Sequence, residues 1–104
     1  MKELINYLDT NKDIVISNQT NDSITLKWMW DGAGFHLGIY RMRANKYRCS
    51  GKTYVKDYCK GETVESTVWR IVDSEREMIE ILDKLINSLT GMQKYLIGKR
   101  VYGD

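Results

Sequence analysis

The chain has no proline in its 104 residues. That excludes a polyproline segment, a proline-stiffened linker and a cis-proline turn. Histidine is nearly absent as well: His36 stands alone, beside two cysteines, Cys49 and Cys59. A structural zinc site takes four ligands, and one histidine with two cysteines falls short; Asp57 as a fourth ligand matches thiolates poorly. No metal and no cofactor are expected. Covalent catalysis requires a nucleophile, a base and a group that orients the base. Nothing in the spacing of His36, Cys49 and Cys59 supplies that set, so the chain is expected not to be an enzyme. His36 reads as a sheet-face histidine satisfied by water or a neighbour. No apolar run approaches the roughly 18 residues of a membrane-spanning helix. Glu3, Asn6 and Asp9 interrupt the N-terminus where a signal peptide would be apolar. The expectation is a cytoplasmic protein with no membrane association. Its cysteines are then free thiols, with a Cys49–Cys59 cross-strand disulfide as the open alternative.

What the chain does contain is ordinary for a folded domain: 42% hydrophobic and 29% charged residues. That is too apolar for disorder, and the length suits a single domain over residues 1–104 with one modest core. Net charge is +2, but its distribution is uneven. Arg41, Arg43, Lys46, Arg48, Lys52, Lys56 and Lys60 crowd the centre of the chain, against Asp57 as the one acid there. Acids gather instead near the N-terminus and from Glu75 onward.

Alternation dominates residues 24–43. Ile24, Leu26, Trp28 and Trp30 share one parity; Thr25, Lys27 and Met29 share the other. A period of two marks a half-buried strand. Asp31-Gly32-Ala33-Gly34 reads as a turn, and Phe35, Leu37 and Ile39 resume the apolar face. Such a strand–glycine–strand passage is a hairpin and not a phosphate-cradling loop, which would lead into a helix. Counting back from a four-residue loop pairs Trp30 with Phe35, Trp28 with Leu37 and Leu26 with Ile39. The other face then carries Lys27, Met29, His36, Gly38, Tyr40 and Met42.

Residues 2–9 read as a short helix with Leu4, Ile5 and Leu8 on its apolar side. Ile14-Val15-Ile16 suits a first strand. Residues 44–62 stay open: Tyr47 and Cys49 fit a strand, whereas Lys52, Lys56 and Lys60, with Tyr54 and Tyr58, also repeat at helical spacing. Residues 66–72 form a last strand, with Val68, Trp69 and Ile71 packing. Ser74-Glu75-Arg76-Glu77 is a capping box. It opens a helix on which Met78, Ile81, Leu82, Leu85 and Leu89 form the apolar stripe. Gly91 suits its end, with Met92 to Val101 a further short helix or a strand. The fold class is α+β: an antiparallel meander of about four strands, with the short N-terminal and longer C-terminal helices packed on one face.

One constellation suggests binding. Tyr40, Arg41, Arg43, Lys46, Tyr47, Arg48, Lys52, Tyr54 and Lys56 interleave cations with aromatic rings. Cations neutralise phosphates and aromatic faces stack on unpaired bases. Tyrosine, methionine and arginine are equally typical of protein interfaces. Arg41 and Arg43 carry core-face parity, but lie where they should emerge at the sheet rim.

The helix over 1–9, Asn11-Lys12-Asp13, a strand, the run Asn21-Asp22-Ser23-Ile24-Thr25 and the hairpin after Asp31-Gly32 resemble a small phage-encoded anti-CRISPR inhibitor of type II effector nucleases. The similarity covers the first forty-odd residues. It implies a helix, an antiparallel sheet and further helices, with binding to a host effector as the activity. The family member is acidic and imitates DNA; the centre of this chain is basic, so the DNA-mimic mechanism does not carry over. Abundant Lys, Asn, Ile and Tyr fit an AT-rich phage or mobile element, whose product would act in the host-cell cytoplasm. The expectation is a non-enzymatic inhibitor that binds a host effector protein or nucleoprotein complex. The alternative is a single-stranded nucleic-acid-binding protein using the same basic-aromatic surface. The sequence does not indicate an oligomeric state.

Overall fold

In the computed structural model, Asp31 and Gly32 both adopt positive φ, 48° and 91°. Two consecutive left-handed residues make a two-residue type I′ turn, whose twist matches that of a hairpin. The turn is therefore Asp31-Gly32, and Ala33 and Gly34 already belong to the next strand. Trp30 faces Ala33, Trp28 faces Phe35, Leu26 faces Leu37 and Ile24 faces Ile39. The register counted from a four-residue loop is two residues off. An even shift leaves every side chain on its expected face, so the apolar face is as anticipated although the partners differ.

The structure describes all residues except Lys12, Ala44, Asn45, Tyr58, Cys59, Gly103 and Asp104, with the backbone alone for residues 99–102. The chain runs α1 (Lys2–Thr10), β1 (Ile14–Gln19), β2 (Ser23–Trp30), β3 (Ala33–Arg41), β4 (Tyr47–Asp57), β5 (Glu62–Val72) and α2 (Glu75–Tyr102). The strands form one five-stranded antiparallel sheet in the order β1-β2-β3-β4-β5. The open stretch at 44–62 resolves mainly into strand β4. There the helical spacing of Lys52 and Lys56 loses to alternation, because Tyr47, Cys49, Thr53 and Val55 are buried at every second position. Tyr58 and Cys59 lie outside the described residues, and with them the disulfide alternative. β5 begins at Glu62 and not at Ser66. Within it, Trp69 and Ile71 do not pack in the core as expected: they are 60% and 42% exposed, while Val72 is buried. Val68 and Trp69 are neighbours in a strand and must face opposite ways.

Both helices lie on one face of the sheet. Leu4 and Leu8 of α1, Met78, Leu82 and Leu89 of α2, and Leu26, Trp28, Phe35, Leu37 and Ile39 of the sheet form one buried cluster. Each such side chain removed from water contributes about 1.5–3 kcal/mol. Trp28 and Phe35 stack with centroids 5.6 Å apart. Tyr7 of α1 donates its hydroxyl to Asp83 of α2. Burial together with that carboxylate pushes the phenol pKa well above its usual range. Ser74 caps α2 as expected: its Oγ accepts the Glu77 N–H at 3.1 Å. Glu77 reaches back to the Asp73 N–H at 3.2 Å, one residue before the cap.

Gly91 does not end α2, which continues to Tyr102. A mid-helix glycine costs roughly 1 kcal/mol relative to alanine, and packing on either side of it offsets that. Leu89 and Gln93 are buried on the sheet side, and Gln93 Nε2 donates to the Lys56 carbonyl at 3.2 Å.

Candidate partner-binding face

Because α1 and α2 share one side of the sheet, no element among the described residues covers the other side. Strand parity decides which residues stand there. Across β2, β3, β4 and β5 they form rows: Ser23–Tyr40–Arg48–Ile71, Thr25–Gly38–Ser50–Trp69, Lys27–His36–Lys52–Thr67 and Met29–Gly34–Tyr54–Glu65. Lys56 continues the β4 line beyond Tyr54, opposite Thr63. Lys27, Arg48, Lys52 and Lys56 thus share this face, with Glu65 as its one acid among the described strand residues. Met29 is 65% exposed, Trp69 60% and Tyr40 38%. Large exposed apolar groups rimmed by charge mark an interaction surface more often than an inert one.

Two glycines shape the face. The Tyr40 ring lies flat over Gly38, so that a Cβ there would come within 2.7 Å of the Tyr40 hydroxyl. Tyr54 lies over Gly34 in the same way, its hydroxyl 2.9 Å from where a Cβ would stand. A ring folded across a strand glycine restores the side-chain packing the glycine lacks. Arg48 completes the first stack: its guanidinium carbon sits 4.8 Å from the Tyr40 ring centroid, a cation–π contact. Arg48 Nε is shielded from solvent and makes no hydrogen bond among the described residues. No carboxylate neutralises this cation within the described chain. A guanidinium held against a ring is pre-oriented and offers a planar fork to a carboxylate or phosphate. Beside the stack, His36, Ser50 and Lys52 line a shallow depression of about 420 Å³. Lys52 is held by Glu65 at 3.5 Å, an exposed pair that a stronger anion displaces at little cost.

The structure divides the basic-aromatic constellation. It brings Tyr40, Arg48, Lys52, Tyr54 and Lys56 together on the open face. Arg41 is exposed at the end of β3 and Arg43 in the following turn, both at the rim as expected. Lys46 is exposed there too and pairs with Asp73 at 4.0 Å. Tyr47 is a correction: it is 5% exposed, packed under the helices, and is not available to a partner. Its odd number in β4 places it with Cys49 and Val55, opposite in parity to Arg48. Met29 stands on this face as its alternation implies. Trp69, expected to pack in the core, belongs to it too, and alternation in β5 was the signal.

Cys49 is fully buried on the helix side, and burial pushes its thiol up to about 11. His36 is on the opposite side of the sheet from it. Among the described residues no three of His, Cys, Asp and Glu gather as metal ligands, and no helix is long and apolar enough to cross a membrane. Comparison with family models, curated proteins and solved structures returned no match for this chain.

Proposed function

We propose that the protein is a small non-enzymatic inhibitor that uses its uncovered sheet face to bind a host nucleoprotein effector and block it. The observation that carries this reading is the one-sided placement of the helices. It leaves Tyr40, Arg48, Lys52, Tyr54, Lys56 and Trp69 pointing outward together from a rigid sheet. A pre-oriented surface loses little freedom on binding, so more of the contact energy appears as affinity. Its excess of cations selects an anionic patch, and effectors that carry nucleic acid are rich in such patches.

The test is a cleavage assay with a purified type II effector nuclease, its guide RNA and a target duplex. Wild-type protein at stoichiometric excess stops cleavage. Arg48→Glu combined with Lys52→Glu and Lys56→Glu restores it while remaining folded. Undiminished cleavage with wild-type protein in excess overturns the reading.

A second reading has its own support. Tyr54 and Trp69 supply ring faces beside cations, the combination that stacks unpaired bases. Direct binding of a labelled single strand would then fall steeply with salt, with a log–log slope of about −0.7 per phosphate neutralised.

A further inference from the structure

The two edges of the sheet are unlike. β1 spans six residues and is broken by a bulge between Ile16 and Asn18. β5 spans eleven residues and pairs with β4 without any irregularity from end to end, and among the described residues no strand pairs with its outer edge. A long, regularly paired edge with no proline, lysine or bulge is the kind that accepts another strand. We propose that β5 pairs antiparallel with β5 of a second copy of this chain, about a two-fold axis at Ser66, joining two sheets into one.

The sequence of β5 selects that occupant and that register. With Ser66 facing its own copy, Glu62 stands opposite Arg70 of the second copy, and Val64 opposite Val68. Each pair occurs twice by symmetry, as an isologous interface requires. Centring on Glu65 instead would set that carboxylate against itself, and centring on Thr67 would set Val64 against Arg70. Like charges directly opposite destabilise a ladder and opposite charges stabilise it. No ion pair within the chain, among the described residues, engages Glu62 or Arg70.

The helix side of the same edge holds a matching groove. Val68, Arg70, Ile81, Lys84 and Leu85 line a cleft of about 420 Å³ between β5 and α2. In this register the second copy's valine at position 64 enters the apolar part, and its glutamate at position 62 meets Arg70 and Lys84. Val64 is 57% exposed in the single chain, so the pairing covers it. The proposal is independent of what the open face binds.

Sedimentation velocity on the full chain at tens of micromolar tests it. Wild type runs at twice 12.2 kDa. Glu62→Arg or Arg70→Glu alone gives monomer, because like charges then oppose across the axis. The double variant returns to dimer, because each new charge meets its new complement. Both residues are exposed, and unchanged far-UV circular dichroism spectra verify that the single variants fold. Ser66→Cys adds a positive check. Facing strand residues stand about 4.5–5.5 Å apart at Cα, within disulfide reach, so oxidation links two chains covalently in a Cys59→Ser background, whereas Glu62→Cys does not. A monomeric wild type, or a dimer indifferent to Arg70→Glu, overturns the proposal.

Discussion

Replacing Trp28 by alanine, beside the same change at Trp69, separates the two faces of the sheet in one experiment. Trp28 is 5% exposed, stacked on Phe35, and sits beneath the helices. Truncating a buried tryptophan costs about 3–5 kcal/mol through lost transfer energy and the cavity left behind. The stacked partner adds about 0.5–1.5 kcal/mol. Trp69 is 60% exposed and stands opposite the small Ser50, so its truncation should cost about 1 kcal/mol or less, the scale of one cross-strand pair. Urea titration followed by far-UV circular dichroism reads both. Trp28→Ala should move the midpoint far down with little change in slope, and Trp69→Ala should barely move it. The reasoning is refuted if the two costs are equal, or if Trp69→Ala is the larger, because either result would invert the assignment of faces.

Three further predictions follow from single observations. Ser74→Ala should lower stability by about 1 kcal/mol by freeing the Glu77 N–H, measured in the same titration. Gly51 holds φ at 154° in β4, and a Cβ there would come within 2.1 Å of the His36 carbonyl oxygen. Gly51→Ala should therefore cost at least about 1–3 kcal/mol of backbone strain, and an unchanged melting temperature would refute it. Cys49 should ignore a thiol reagent at pH 8 until the protein unfolds. Its folded pKa is raised from an ordinary 9.0 to about 11, so the contribution is complete below pH 9 and is lost as pH climbs to about 11, where the unfolded thiol alone has ionised. Stability that rises over that interval would contradict the burial of Cys49.

Periodicity made much of this fold legible, and turn chemistry accounts for what was misread. Ile24 to Trp30 alternate so regularly that the buried face is evident, and Ser74 with Glu77 announces the start of α2. The hairpin register went astray because Ala33 and Gly34 look like turn residues by composition; Asp31-Gly32 alone satisfies a type I′ turn. β4 was ambiguous because its cations stand four apart, a helical spacing that alternation of Tyr47, Cys49, Thr53 and Val55 overrides once β3 offers a partner. Gly91 looked like a terminator, yet sheet contacts by Leu89 and Gln93 carry α2 past it. These are tertiary effects, invisible in a local window. The candidate site was legible in kind but not in membership. Tyr40, Arg48, Lys52, Tyr54 and Lys56 share the open face, Tyr47 falls in the core by parity, and Trp69 joins by the alternation of β5, which sets it opposite in parity to the buried Val72.

The central claim is that the uncovered sheet face is the surface a partner meets. It is tested most directly by a pull-down from host extract with three baits, read by quantitative mass spectrometry. The baits are wild type, the open-face reversal Arg48→Glu with Lys52→Glu and Lys56→Glu, and a helix-side reversal of Arg76 and Lys84. One effector should be enriched by wild type and by the helix-side variant, and lost with the open-face variant. An effector retained by the open-face variant and lost with the helix-side one would place the binding surface on the wrong side of the sheet.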